Sequence, residues 1–137
     1  MEIDELEGRE LAVAVMLARG GAPQKVGLEN HEFLLDGERV FVTLDEDVEC
    51  MAEFNGEAAG RPDLNIAQAW ELVKSLIDGR KDFSISWEGN DAWWVEIHDL
   101  RWCNEETNSY KALVSGMMSG TAPEAICRAF LKAKAAQ

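Results

Sequence analysis

Residues 82–99 read DFSISWEGNDAWWVEIHD, and the alternation within this stretch decides the fold class. Apolar side chains occupy every second position on both sides of the Gly89-Asn90 pair, which is the period of a strand with one buried face. The pair itself favours a tight turn. We therefore expect an antiparallel hairpin here, which a further strand over about residues 110–115 extends to a three-stranded meander.

Three helices are predicted around this meander. Apolar residues recur at helical spacing over residues 3–19 and again over residues 64–78. Asp63 is suited to cap the start of the second of these helices, and Gly79 is suited to end it. The third helix lies in the last residues of the sequence.

A second hairpin is predicted between the first two helices. Residues 31–44 read HEFLLDGERVFVTL, in which Asp36-Gly37 is a two-residue turn signal between apolar runs. Residues 45–62 are acidic, lack periodicity and are predicted to form an irregular insert. The whole chain, residues 1–137, is thus predicted to be one α/β domain. We expect an α-β-α sandwich with a largely antiparallel sheet and the order α-β-β-α-β-β-β-α.

The stretch GTAPEAICRAFLKA, residues 120–133, begins the last helix. Thr121 and Glu124 have the T-x-x-E spacing of a capping box. Helical periodicity places Cys127 beside the buried stripe, and we interpret it as a core residue rather than a nucleophile. The same periodicity puts Arg128 on the other side of the helix with Glu124, where we expect it to be exposed.

The charge is strongly acidic and unevenly distributed. The net charge is −13, of which residues 1–60 contribute −11 (15 acidic, 4 basic) and residues 61–137 contribute −2 (11 acidic, 9 basic). Such a chain should repel long nucleic acid, because binding to it requires many phosphates to be neutralised. The second part retains enough local cations to hold one small anion. A simple contribution to solubility is the alternative reading of the acidic excess.

Cysteine usage and hydropathy indicate a cytoplasmic protein. The three cysteines, at positions 50, 103 and 127, show no C-x-x-C spacing and are typical of reduced thiols. No apolar run approaches the ~18 residues that a membrane span needs, so no membrane partner is expected. The acidic N-terminus does not resemble a signal peptide.

We found no motif for catalysis, cofactors or metals. The sequence contains no H-E-x-x-H, paired C-x-x-C, phosphate loop, dinucleotide fingerprint or G-x-S-x-G elbow. The spacing of a calcium-binding loop is present at Asp45, Asp47 and Glu49. The glycine and the final glutamate that such a loop requires are absent here. We therefore predict a non-enzymatic protein without metal or cofactor. A Cys103–His98 pair is left open, because sequence alone cannot place the two side chains together.

Three segments resemble the phage ABA sandwich domain family. GTAPEAICRA at residues 120–129 is similar to the phrase that precedes the family's final helix. NIAQAWELVKSL at 65–76 and GREL at 8–11 resemble its middle and first helices. RPDLN at 61–65 departs from the family's usual entry to the middle helix. The resemblance implies an α-β-α fold and a phage or prophage origin, hence a host-cell cytoplasm during infection, and it brings no catalytic constellation.

The tryptophans suggest where a ligand binds. Trp70, Trp87 and Trp93 lie on apolar faces and are predicted to be core residues. Trp94 points the other way, among serines and charged residues, and is suited to be a ligand floor or an interface anchor. The alternative is that a helix covers it. Cations and stacking side chains follow on the same strand and the next, so the predicted ligand-binding residues are Trp94, His98, Arg101, Trp102, Tyr110 and Lys111.

Together these features favour a phage-encoded, anti-defence binding protein that sequesters a small nucleotide used by the host as an immune signal. A stacked base and a bound phosphate suit the aromatic and cationic candidates. The alternative is an acidic inhibitor that imitates nucleic acid and occupies a host DNA-binding protein. A nucleotide-cleaving enzyme that uses His98 is a third possibility. Because Trp94 lies on the less apolar face of an amphipathic meander, we also expect a homo-oligomer.

Overall fold

The structure is a computed structural model that describes residues 2–26, 30–35, 37–43, 58–59 and 61–137. It confirms the α/β class and the predicted order of elements, with two additional short strands. After a short 3-10 helix at Ile3–Glu5, the elements are α1 (Gly8–Ala18), β1 (Ala22–Val26), β2 (Asn30–Leu35), β3 (Glu38–Thr43), β4 (Ala58–Ala59), α2 (Ile66–Asp78), β5 (Ser84–Gly89), β6 (Ala92–Asn104), β7 (Ser109–Ser119) and α3 (Ala122–Ala135).

The strands form two sheets. The first has the order β1-β2-β3-β4, in which β4 is parallel to β3 and the other pairs are antiparallel. The second is the antiparallel meander β5-β6-β7. β1 escaped prediction because its sequence, APQKV, contains a proline and does not alternate, features that an edge strand tolerates. β4 falls within the predicted irregular insert, of which residues 45–57 and 60 lie outside the described residues.

Helix α3 is the centre of the larger core. All residues from Ala125 to Leu131, and also Ala133, are buried, and the helix contacts α1, α2, β6 and β7. Its apolar side chains pack with those of the helices and with the inward-facing Val95, Ile97 and Val114 of the meander. A smaller cluster joins α1 to the first sheet through Ala12, Met16, Phe33 and Val42. Helix α1 therefore serves both cores.

The start of α3 confirms the capping box. The Thr121 hydroxyl accepts a hydrogen bond from the Glu124 backbone N–H, and the Glu124 carboxylate accepts one from the Thr121 backbone N–H. Cys127 is fully buried, as predicted. Burial raises the pKa of its thiol far above the usual range, so the reactive thiolate is disfavoured.

The prediction for Arg128 is wrong, because the side chain is buried rather than exposed. Its guanidinium donates hydrogen bonds to the carbonyl oxygens of Ser119 (2.6 Å) and Leu6 (3.0 Å). Glu124 lies 3.6 Å away on the same helix. Helix α3 is surrounded by other elements on several sides, so it has no broad exposed face for this residue. Arg128 instead ties the helix to the end of β7 and to the segment before α1.

Two further expectations about α2 and the tryptophans are corrected. The cap of α2 is Asn65, whose side chain accepts from the Gln68 backbone N–H, whereas the buried Asp63 forms a two-bond ion pair with Arg61. Trp70 and Trp87 are 47% and 64% exposed, so neither is a core residue. Trp70 lies on α2 and contacts the Phe83 ring edge-to-face, and Trp87 lies near the end of β5.

The β5–β6 hairpin is confirmed, with its turn one residue later than predicted. Trp87 is opposite Trp93 and Gly89 is opposite Ala92, which leaves Asn90 and Asp91 as the loop. Trp93 is partly buried against the core as expected, and its indole N–H donates to the Gly120 carbonyl oxygen at 3.0 Å. Of the helices in the described ranges, none is both long and apolar enough to cross a membrane.

Candidate functional site

The β6–β7 hairpin continues well beyond the core. Every residue from 101 to 112 is exposed, although the strands remain paired at Cys103–Tyr110 and Asn104–Ser109. The register jumps between Asp99 and Cys103, so residues 100–102 form a bulge without partners on β7. Bulges bend a strand and redirect its side chains, and this one separates the exposed end of the hairpin from the core-packed part.

The turn at the end of the hairpin is held by Asn104. Its side-chain oxygen accepts hydrogen bonds from the backbone N–H groups of Glu106 (2.9 Å) and Thr107 (3.3 Å). The Thr107 and Ser109 hydroxyls lie 2.7 Å apart. Asn108 adopts a left-handed conformation (φ 53°), which asparagine tolerates better than most residues. Local side-chain hydrogen bonds thus order the end of the hairpin, which does not pack against the core.

A shallow cleft lies at this end of the hairpin. It has a volume of about 390 Å³, within the ~300–1,000 Å³ range of small-ligand sites. Two aromatic rings present much of their surface to solvent in the cleft, since Trp102 is 63% and Tyr110 is 47% exposed. The lining residues are Trp102, Cys103, Asn104, Ser109, Tyr110 and Lys111.

The structure therefore brings three of the predicted ligand-binding residues together: Trp102, Tyr110 and Lys111. Lys111 makes no ion pair with any residue that the structure describes, so its charge faces solvent at the cleft. Sequence reasoning missed Cys103, Asn104 and Ser109. A signal was present, because residues 104–108 are rich in turn-forming side chains and closing a turn there places these three beside Trp102 and Tyr110.

Arg101 does not line the cleft, because it is bound to Asp99. Its guanidinium donates to both Asp99 carboxylate oxygens at 2.9 and 2.8 Å, and its backbone N–H donates to the same carboxylate at 3.0 Å. These bonds hold the pKa of Asp99 far below its usual range and raise the pKa of Arg101. The positive charge of Arg101 is therefore largely compensated within the protein.

Lys81 is a second cation whose charge acts on Asp99. It forms a backbone bridge with Asp99, and its buried ammonium group donates to the Gly79 carbonyl oxygen at 3.1 Å. Burial, followed by the charge of Arg101, lowers the pKa of Lys81. Asp99 is thus the anion between two cations, which accounts for an arginine and a lysine at the base of the hairpin without any ligand.

His98 is also engaged by its own neighbours. Its backbone N–H donates to the Asp82 carboxylate at 2.7 Å, and its ring Nδ1 lies 3.1 Å from the same oxygen. The Cys103 thiol is directed instead to the Asn104 carbonyl oxygen, at 3.9 Å. The Cys–His pair that the sequence left open is not formed between these two residues.

Trp94 lies on the outer face of the meander, between Ser86 of β5 and Met117 of β7. It is 38% exposed, and the helices pack on the opposite face against Val95 and Ile97. No helix in the described part of the chain covers this tryptophan. Eight residues of β6 separate it from Trp102, at most about 26 Å of extended strand at ~3.3 Å per residue. Trp94 is not among the residues that line the cleft.

The described ranges contain no cluster of three or more His, Cys, Asp or Glu side chains that could hold a metal ion. Comparison of the chain with protein-family models, with curated proteins and with solved structures found no match in any of the three. The resemblance to the phage ABA sandwich domain family therefore stays a prediction.

Proposed function

We propose that this protein is a non-catalytic binding protein that sequesters a small anionic nucleotide in the cleft of the β6–β7 hairpin. The observation that carries the proposal is the presence in a single cleft of two exposed aromatic rings, Trp102 and Tyr110, and of Lys111, which forms no ion pair with a described residue. A single exposed aromatic side chain is ordinary, but neighbouring exposed aromatic rings form an apolar patch of the kind that marks a binding site.

The chemistry of the cleft suits a nucleotide. A base stacked on an aromatic side chain contributes about 1–3 kcal/mol, so two rings supply about 2–6 kcal/mol. A charge-assisted bond from Lys111 to a phosphate adds to this. Asn104 and Ser109 bring amide and hydroxyl groups that can read the edge of a base. These contributions approach the about 8 kcal/mol that a micromolar complex requires.

The other predicted site residues have different roles in this proposal. Arg101 orders the base of the hairpin through Asp99, and His98 is held by Asp82. Neither contacts the ligand in the cleft. Trp94 remains a second exposed surface, outside the lining of the cleft. The proposed nucleotide site therefore keeps three of the six candidate residues, all at the end of the β6–β7 hairpin.

The biological setting rests on the sequence resemblance. A phage origin would place the protein in the cytoplasm of an infected host cell, where a sequestering protein would lower the concentration of a nucleotide immune signal. Sequestration needs tight binding but no chemistry, which fits a site without paired acid, base or nucleophile among its lining residues.

Isothermal calorimetry against cyclic dinucleotides and ADP-ribose derivatives tests the proposal. We expect one ligand to bind the parent protein with micromolar or tighter affinity, and Trp102→Ala to weaken binding at least tenfold. Trp87→Ala is the matched control, because Trp87 is 64% exposed against 63% for Trp102 and lies outside the cleft. Its affinity per chain should be unchanged, since the cleft is built from one chain.

Four outcomes would overturn the proposal or a part of it. Equal affinity of the parent and Trp102→Ala would remove the cleft as the site, and a loss confined to Trp94→Ala would place the ligand on the outer face. Mass spectrometry showing cleaved ligand after incubation would make the protein an enzyme. If no nucleotide binds, the acidic first part becomes the better candidate. A pull-down of host DNA-binding proteins would then test nucleic-acid mimicry, which the net charge of −11 over residues 1–60 favours.

A further inference from the structure

The edge of the meander at β5 lacks the features that usually prevent strands from pairing with other chains. Edge strands are commonly protected by proline, charged side chains or bulges. β1 carries Pro23 and a bulge, and β7 carries Lys111. The segment Ser84–Trp87 of β5 contains no charge, no proline and no glycine, and its pairing to β6 is regular up to Trp87.

The backbone of β5 offers hydrogen bonds at this edge. The Asp82 N–H donates to the His98 carbonyl oxygen, so even-numbered residues of this segment are directed to β6. In an antiparallel ladder the direction alternates with each residue. The N–H and C=O groups of Ile85 and Trp87 are therefore directed away from β6, towards the open edge of the described sheet.

Apolar side chains flank this edge. Phe83, Ile85 and Trp87 alternate onto the helix-facing side of the meander, and the Phe83 ring contacts Trp70 of α2 edge-to-face at 6.1 Å. Trp70, Ile77 and Trp87 are 47%, 57% and 64% exposed. We call this surface the β5 shoulder and define it by Trp70, Ile77, Phe83, Ile85 and Trp87.

We propose that a second copy of this chain pairs with β5 through the same edge, antiparallel and about a two-fold axis at Ser86. This register places Ile85 opposite Trp87 of the second copy, and the reverse. Because both residues direct their backbone groups outward, the two pairs form four hydrogen bonds. Their side chains meet on the helix-facing side, where aromatic and β-branched cross-strand pairs are stabilising.

The charges on β5 are compatible with this self-pairing. In the same register Ser86 faces its own copy, and Glu88 faces Ser84 of the second copy. No two like charges are therefore directly opposite each other, although the chain as a whole is acidic. The joined sheet has six strands and no open β5 edge, and it belongs to the commonest symmetry class of homo-oligomers.

The apolar area at the β5 shoulder matches what a dimer needs. A tryptophan presents up to about 250 Å². The exposed parts of Trp70 and Trp87 in two copies therefore amount to roughly 500 Å² by that value, about half of the ~1,000 Å² expected for a specific interface. Ile77, the partly buried Ile85 and the two strand edges supply the remaining area.

Sedimentation equilibrium tests the interface with Ser86→Asp. This variant sets two carboxylates opposite each other at the axis, where like charges destabilise pairing. We expect the parent to be dimeric at about 100 µM and the dissociation constant of the variant to rise at least tenfold. Ser115→Asp is the matched control, because Ser115 on β7 donates to Glu96 (3.4 Å) as Ser86 donates to Glu88 (3.0 Å). Both variants therefore place a carboxylate beside a glutamate of the same chain, but only Ser86 lies at the proposed axis, so Ser115→Asp should leave the parent dissociation constant unchanged.

A charge exchange makes the test specific for the register. Ser86→Lys should weaken the dimer as Ser86→Asp does, and an equimolar mixture of the two variants should dimerise more tightly than either variant alone, because opposite charges then meet at the axis. A monomeric parent at about 100 µM, a dimer insensitive to both substitutions, or a mixture that dimerises no more tightly than the separate variants would each overturn the proposal. Circular dichroism on every variant confirms that loss of dimer is not loss of fold.

Discussion

Replacing Arg128 with methionine removes a buried cation while keeping a side chain of similar length. The two carbonyl oxygens of Ser119 and Leu6 lose their donor, and a hydrogen bond to a charged group contributes about 1.5–3 kcal/mol. The loss of both bonds amounts to about 3–6 kcal/mol. The ion pair with the partly exposed Glu124, at 3.6 Å, adds little.

One contribution to the free energy of unfolding acts in the opposite direction and favours the variant. The Nε of Arg128 is buried without a hydrogen-bond partner among the described residues, and an unsatisfied buried donor costs about 1–3 kcal/mol. Methionine relieves that cost. We therefore expect Arg128→Met to lower the free energy of unfolding by about 2–4 kcal/mol, a large share of the ~5–15 kcal/mol typical of a domain.

Urea denaturation followed by tryptophan fluorescence measures this change, with the free energy extrapolated linearly to water. Lys132→Met on the same helix is the control, because its ion pair with Asp4 is partly exposed and should be worth no more than ~1 kcal/mol. If Arg128→Met lost less than about 1 kcal/mol, or no more than the control, the role assigned to Arg128 would be refuted.

Two further outcomes follow from buried and ion-paired groups. Cys127→Ala should cost about 1–2 kcal/mol of stability without affecting ligand binding. In the native parent an aromatic disulfide reagent should label the exposed Cys103 but spare the buried Cys127. Loss of ligand binding at unchanged stability would contradict the structural role of Cys127. The Asp99–Arg101 pair depresses the pKa of Asp99, so its contribution is present above pH ~4 and is lost as the pH falls through the folded-state pKa. Below pH ~4 the free energy of unfolding of Asp99→Asn should therefore fall less steeply than that of the parent. If the two stability curves are parallel, the Asp99–Arg101 pair is not a source of acid sensitivity.

Local signals in the sequence were sufficient for the elements that local interactions determine. The Thr121–Glu124 capping box acts within one helical turn, and the hairpin around Asn90 depends on strand period and turn chemistry. Both were predicted from neighbouring residues alone. The burial of Cys127 followed from the apolar stripe of the same helix.

Predictions from the sequence were wrong where the burial of a side chain depended on elements distant in the sequence. Periodicity gave Arg128 a face on the helix but could not show that the end of β7 and the segment before α1 close over that face. Trp70 and Trp87 lie on apolar faces as predicted, yet both rings are about half exposed or more, because burial depends on which other elements reach them. For the candidate site, the sequence identified Trp102, Tyr110 and Lys111. It did not show that Asp99 would neutralise Arg101, because this ion pair depends on the geometry of the bulge.

The bond from Arg128 to the Leu6 carbonyl oxygen joins residues 122 positions apart, and the helix that makes it is the centre of the core. During synthesis, α1, α2 and the meander emerge from the ribosome before α3 exists to cover them. Translation proceeds at about 5–20 residues per second, so these apolar faces stay open to solvent and to chaperones for seconds. We expect nascent chains to be protease-sensitive until residues 122–135 have left the exit tunnel, and to become resistant in one late step.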